Sequence, residues 1–269
     1  MKLFKRGYSS LKDAQPILST LIPSAIGYKQ PSINEVSIKA LMATNLHLGH
    51  NKATWNPRML PYIYGHRNGI HIINLDHTIT ALRRACGLIF ETAAEGGNIV
   101  FVGTKPSLHK LTVNVAQQNN AFFIIHWIGG LITNKERILR RSVGYDPDKV
   151  SQSLLPQSTL DNLEEDGELE DVKNLLKKQP FVHKPDLIVL LDYANNKWAA
   201  HEANLANIPV VAICDTDCDP TGVSYPIPAN DDSVAGVGLI AGVLGKACRE
   251  GHERWMQELE KQNELKQRK

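Results

Sequence analysis

PDLIVLLDYANNKWAAHEANLANIPVVAICD, residues 185 to 215, reads as strand, helix, strand. PDLIVLLD and IPVVAICD are short apolar runs of strand length, and KWAAHEANLAN between them is a helical stretch. The same alternation recurs upstream. NIVFVGTKP, residues 98 to 106, is apolar throughout from Ile99 to Val102, as strands covered on both faces are. Pro106 then opens a helix over SLHKLTVNVAQQNN, and AFFIIHW follows as another strand. Strands alternating with helices of ten to twenty residues call for a mostly parallel sheet with right-handed crossovers. The expected class is therefore α/β, a Rossmann-like (flavodoxin-like) sheet flanked by helices.

Further towards the N-terminus, HTITALRRACGLIFETAAEGG keeps helical spacing through Ile79, Leu82, Ala85, Cys86, Ile89 and Phe90. Asp76 is its expected N-cap, and Gly96 and Gly97 end it. Before it, Ile70, Ile72, Ile73 and Leu75 form a β-branched and leucine run between Gly69 and Asp76, expected to be the first, buried strand of the sheet. SINEVSIKALMATN predicts a helix with Ser32 and Glu35 as its capping pair and Val36, Ile38, Leu41 and Met42 as its apolar face. At the other end, DDSVAGVGLIAGVLGKACREG starts with a capping aspartate and carries small residues suited to close packing, before a mixed-charge helical tail over residues 252–269.

Two segments depart from this order. Residues 1–30 carry Lys2, Lys5, Arg6, Lys12 and Lys29 against Asp13 alone, with serines and leucines between, the composition of a mitochondrial presequence; a retained basic arm is the alternative. Between Arg141 and Phe181 the periodicity gives way to a polar stretch containing DNLEEDGELEDVKNLLKK, read as an insertion or short helical hairpin projecting from the sheet. The domain plan is thus a presequence or arm at 1–30, an α/β domain at 31–251 interrupted by an insertion at 135–184, and the tail.

With 269 residues and 42% hydrophobic content the chain can fill a packed core, and a net charge of +2 neither demands nor excludes a polyanionic partner. Cys86, Cys214, Cys218 and Cys248 show no disulfide or zinc-ribbon spacing, which points to a reducing compartment. Cys214 and Cys218 flank DTD, a loose metal pattern whose other reading is two buried thiols at a strand end. Asp192, Asp215 and Asp217 lie near strand ends and read first as solvated loop carboxylates, a metal gathered at the sheet's carboxyl edge being the alternative. No run of eighteen apolar residues is present to span a membrane.

The chemistry concentrates in NLHLGHNKATWNPRM, residues 45 to 59. His47 and His50 lie three apart, but no H-E-x-x-H completes a zinc helix. FVGTKP has one glycine where a dinucleotide fingerprint needs three, and it lacks P-loop spacing, so Lys105 suits a single phosphate better than a nucleotide. No G-x-S-x-G elbow is present. What remains is a contact surface. Lys52 and Arg58 can reach phosphates, Asn51 and Asn56 offer amides, and Trp55 offers a stacking face or a core anchor. Arg67, Lys105, Lys135, Arg137, Arg140 and Arg141 add basic positions in loops or after strands.

HLGHNKATWNPRMLPYIYGHRNGIHIINLDHT, IVFVGTK, HWIGGLITN and the long stretch from Pro185 through PANDDS at 228–233 resemble, in order, the signatures of the bacterial-type family of small-subunit ribosomal protein two, over about Ile38 to Gly251. The resemblance implies a Rossmann-like sheet without enzymatic activity or cofactor, docked on small-subunit ribosomal RNA near the neck of the particle. Neighbouring ribosomal proteins would adjoin it and messenger RNA would lie nearby, in this case in the mitochondrial matrix. His47 and His50 would then fix the loop's shape while Asn51, Lys52, Trp55, Asn56, Arg58, Arg67, Lys105, Asn134, Lys135, Arg137, Arg140 and Arg141 face RNA. The family's helical hairpin would fall between Asn134 and Pro185, where this chain is shorter, acidic and proline-bearing. Where the family has Arg before the Trp of its Trp-Leu-Gly-Gly motif, this chain has His126, a titratable ring in place of a permanent cation. The alternative from another class is a nucleotide-dependent enzyme on the same fold.

Overall fold

The computed structural model describes Ile33, residues 36–135, Ile138 and residues 184–267, with side chains described through residue 261. The presequence, the Ser32 and Glu35 capping pair, Arg137, Arg140, Arg141 and the acidic insertion lie outside the described residues. The chain divides into two compact units, one of residues 1–28 and 130–184, the other of residues 29–129 and 185–269. Of the first, the described part is the start of a helical turn: the Asn134 amide donates to the Gly130 carbonyl at 2.7 Å, and Ile138 to that of Asn134 at 3.2 Å.

The second unit opens with helix α1, Ile38–Ala43, capped by Ser37, whose hydroxyl accepts from the Ala40 amide at 3.3 Å. Strands β1 (Leu48–Asn51), β2 (Ile63–Arg67) and β3 (Ile70–Ile73) then form a small antiparallel sheet in the order β1-β3-β2. The Ile70 run is thus a strand, but not of the parallel sheet as its composition suggested. Asn68 and Gly69, with φ of 52° and 78°, make a two-residue hairpin that turns it straight back onto β2. Gly69 needs no Cβ in that left-handed conformation, so Gly69→Ala should cost about 1 kcal/mol. A lower urea midpoint with an unchanged slope is the expected reading.

Helix α2, Leu75–Ala94, starts from Asn74, whose side-chain oxygen accepts from the Asp76 amide at 3.1 Å. Asp76, the expected cap, therefore sits two residues past the actual one, in the first turn, where its charge still faces the positive helix end. There follow β4 (Ile99–Val102), a 3₁₀ turn at Pro106–Leu108, α3 (His109–Gln118), β5 (Phe122–Ile124), β6 (Leu187–Leu190), α4 (Lys197–Leu205), β7 (Val210–Cys214), β8 (Tyr225–Pro228) and α5 (Val234–Gln267). The five strands β4 to β8 are all parallel, in the order β5-β4-β6-β7-β8. That is the flavodoxin-type order, with its switch point between β4 and β6. The edge strand β8 carries Pro226 and Pro228, which only an edge tolerates.

Alternation along the strands divides the sheet's two faces. Ile99, Phe101, Leu187, Val189, Val211, Ile213 and Ile227 join one hydrophobic cluster with Leu82, Ile89, Val237, Ile240 and Leu244 of α2 and α5. Val100, Val102, Ile188, Leu190, Val210 and Ala212 are equally buried outside that cluster, as are Ala199, Ala200 and Ala203 of α4. Each fully buried valine, leucine, isoleucine or phenylalanine among them contributes about 1.5–3 kcal/mol.

Helix α5 begins from Ser233, whose hydroxyl accepts from the Gly236 amide at 3.2 Å, and not from the preceding aspartates, which are bonded to Lys105. Its small residues do bring it close to neighbours. A Cβ on Gly236 would stand 2.6 Å from Leu46, one on Gly245 2.4 Å from Asn119, and one on Gly251 2.4 Å from the Phe90 carbonyl of α2. Among the described residues no helix is long and apolar enough to cross a membrane.

Candidate functional site

The loop that carries β1 is fastened to the body by residues far along the chain. The amide of His50 donates to the Thr216 hydroxyl at 2.8 Å, and that of Asn56 to the Thr216 carbonyl at 2.8 Å. Contact there is close enough that a Cβ on Gly49 would lie 2.6 Å from the Thr216 methyl. Asn56 accepts from the Arg58 amide at 3.0 Å and so caps the 3₁₀ turn Pro57–Tyr62, which seats Met59 in the interior. The Arg58 guanidinium binds Asp219 and the Thr221 hydroxyl, tying that turn to the one at Pro220–Gly222. Behind the loop, Trp55 packs against the buried ring of His71 with centroids 5.2 Å apart, and the His47 carbonyl accepts from Ile73 at 2.8 Å.

This anchoring leaves a basic rim. The Asn51 side-chain oxygen accepts from the Ala53 amide at 3.1 Å in a local turn, and the Lys52 amide donates to Gly69 at 2.9 Å across the small sheet. Lys52 and Arg67 are exposed, and among the described residues neither side chain has an ion-pair partner. Tyr64, 79% exposed, stands on the same small sheet. Of the other expected positions, Asn134 is exposed and Lys135 half-buried in the first unit. His126 is exposed, with its ring edge-on to His109 at 5.1 Å.

At the switch point the amides that a nucleotide phosphate would use are already taken. Asp192, fully buried at the end of β6, accepts from the Thr104 amide at 3.2 Å, the Thr104 hydroxyl at 2.9 Å and the Lys105 amide at 3.1 Å. Asn196 adds its side-chain amide at 2.6 Å. The carboxylate thus fills the position of an anion in the turn after β4, and Asp192 does not join the cluster that holds Asp215, which groups with His50 and Asp231.

Lys105 turns instead to the acidic pair before α5, its Nζ 3.0 Å from Asp231 and 2.9 Å from Asp232. Burial works against its charge, but hydrogen bonds to Asp232 and Asp231 outweigh that and raise its pKa. Asp232 also reaches His50 Nε2 at 3.5 Å, while His50 Nδ1 faces Asp215 at 2.9 Å. The imidazole pKa is raised because the nearby Asp215, Asp217 and Asp232 outweigh its burial. Burial lifts the Asp215 carboxyl to about 6 despite the Thr216 amide, and burial raises Asp231 too. Among the described residues, His50, Asp215 and Asp231 are the one group of three metal-ligating side chains that converge. Cys214 and Cys218 are buried thiols whose pKa values burial pushes upward, away from the thiolate a metal binds.

The sequence reading named His50, Arg58 and Lys105 but not the residues that hold them, Thr216, Asp219, Asp231 and Asp232. The adjacent aspartates of ANDDS were the available signal, and they were read as a helix cap.

A family model described as Ribosomal protein S2 matches residues 41–251. The chain is 40% identical over 223 residues to the small ribosomal subunit protein uS2m of Neurospora crassa, a match covering 82% of this chain and 48% of that protein. It therefore spans about half the length of that relative. To uS2m of Schizosaccharomyces pombe it is 36% identical over 229 residues, covering 85% of this chain and 80% of that one. To uS2 of the bacterium Beijerinckia indica it is 36% identical over 229 residues, covering 83% and 68%.

Proposed function

The chain belongs to the ribosomal protein S2 family, and from that premise we propose that it is a non-catalytic constituent of the small subunit of the mitochondrial ribosome, in the matrix. There it binds small-subunit ribosomal RNA and supports assembly and translation, with neighbouring ribosomal proteins against it and messenger RNA close by. The mitochondrial assignment rests on the two fungal uS2m relatives and on the basic, acid-poor composition of residues 1–30.

The observation that carries the RNA-binding reading is the latched loop. Its backbone is held at Thr216, Gly69 and Ile73 while Lys52 and Arg67 point outward. A cation on a rigid support loses less entropy on meeting a phosphate than one on a free loop. Arg58, 59% exposed, keeps guanidinium nitrogens beyond those bound to Asp219 and Thr221. Asn51, Trp55 and Asn56 support these cations from behind. Asn134 and Lys135, with Arg137, Arg140 and Arg141 following, form a second contact with RNA.

Sedimentation of mitochondrial lysate through sucrose tests the reading. The protein should travel with the small subunit and move to the top of the gradient after ribonuclease. A position at the top in both cases overturns it. Charge removal tests the surface: Lys52→Ala with Arg67→Ala should lower the slope of log affinity for small-subunit RNA against log salt by about two units. An unchanged slope would move the contact elsewhere on the protein.

A further inference from the structure

We propose that His50, Asp215 and Asp231 bind one divalent transition-metal cation, zinc in the first instance, beneath the basic loop. One ligand atom from each lies within 4.8 Å of the other two. The two carboxylates are 1% and 2% exposed. Each accepts a hydrogen bond on one side only. Asp215 Oδ1 accepts from the Thr216 amide and Asp231 Oδ1 from Lys105. The second oxygen of each, Asp215 Oδ2 and Asp231 Oδ2, is buried without a hydrogen bond, and so is His50 Nδ1. His50 Nδ1 and Asp215 Oδ2 form an ion pair 2.9 Å apart, and Asp231 Oδ2 is the carboxylate oxygen of the cluster left with no partner; a cation would displace the proton between the pair and reach Asp231 as well. A buried carboxylate oxygen is costly to leave unpartnered, and Asp231 Oδ2 sharing a pocket with the His50–Asp215 pair is the pattern a cation resolves.

The surroundings prepare the histidine for that role. Asp232 stands 3.5 Å from Nε2, so a proton held on Nε2 leaves the Nδ1 lone pair facing the carboxylates. A carboxylate on the outer nitrogen is the usual support of a metal-bound imidazole. The His50 backbone is fixed by Thr216, and the absence of a Cβ at Gly49 permits that contact. One imidazole and two carboxylates suit zinc or a similar first-row ion, whereas magnesium and calcium take oxygen ligands throughout. His50 is 32% exposed, so a water or a phosphate oxygen can complete the coordination from outside. The ion would join β1, β7 and the turn before α5 at one point. The inference concerns the loop's support and is independent of what the loop contacts.

The test uses the full chain, dialysed against chelator and titrated with zinc chloride by calorimetry, then with cobalt chloride by visible absorption. One equivalent of zinc should bind, and cobalt should give a ligand-field spectrum without a sulfur-to-metal charge-transfer band. Asp231→Asn and His50→Gln should each weaken zinc binding by at least about 100-fold, more than the loss of an outer-shell partner produces. Less than one equivalent in the wild-type protein at saturating zinc overturns the site whatever the variants do. A thiolate band, or wild-type affinity in a natively folded Asp231→Asn protein, assigns the metal to other residues and likewise overturns it.

Discussion

Asp192→Ala should lower the unfolding free energy by about 3 kcal/mol, because two part-buried backbone amides and the Thr104 hydroxyl lose their acceptor, each such group costing about 1–3 kcal/mol before relaxation. The amides of Thr104 and Lys105, the Thr104 hydroxyl and the Asn196 side chain all converge on this carboxylate. Asn196 also donates to the Thr104 hydroxyl at 3.0 Å, so the loss spreads to the start of α4. Asp192→Asn, which keeps one accepting oxygen but turns an NH₂ towards existing donors, should fall between, at about 2 kcal/mol. Urea unfolding of the full-length variants measures both. A loss below about 1 kcal/mol for alanine would mean that water replaces the carboxylate and that the switch point is open to solvent anions after all.

One chemical change should have opposite signs at two glycines. Gly251→Ala adds a methyl 2.4 Å from the Phe90 carbonyl and 2.7 Å from Ala93, backbone and side chain of the helix along which α5 lies. Overpacking of this kind costs about 1–3 kcal/mol, and separating two long helices places it at the upper end; the helix preference for alanine returns about 1 kcal/mol, leaving a net loss of about 2 kcal/mol. Gly87→Ala, on α2, meets nothing within 4 Å and should stabilise by about 0.5–1 kcal/mol. Thermal midpoints of the two variants, falling for one and rising for the other, check the helix packing directly. Two rises would show that α2 and α5 have room between them.

The parallel strands β4 to β7 were legible because apolar runs of strand length, punctuated by glycine and proline, have few other uses in an α/β chain. Strand β8 was not, since Pro226 and Pro228 argue against a strand until an edge position is known. The Ile70 run was read correctly as a strand and placed in the wrong sheet, although Asn68-Gly69 is a strong local hairpin signal; weight on the isoleucines hid it. In the site, the cations and histidines of residues 47–58 were recognisable by type. Their partners were not, because Thr216 and Asp231 meet His50 through tertiary folding across more than 160 positions, a distance over which no local spacing operates. Lys105 shows the limit plainly: a lysine after a strand reads as a phosphate ligand until two aspartates 126 and 127 positions later are found beside it.

The fastening of the N-terminal loop has a consequence in time. His50 is held by Thr216, Asn45 by Asn230 and Thr44 by Ser233, pairs separated by 166, 185 and 189 positions. A chain delivered N-terminus first, by a ribosome or through an import channel, therefore displays Lys52 and Arg67 long before the residues that shape their loop have emerged. The loop closures involved are among the longest the fold contains and form after the local helices and hairpin. A chain broken off before residue 216 carries every cation of the loop without its shape. The grip is in effect a completion check, gained only by a molecule whose last strands have arrived and folded.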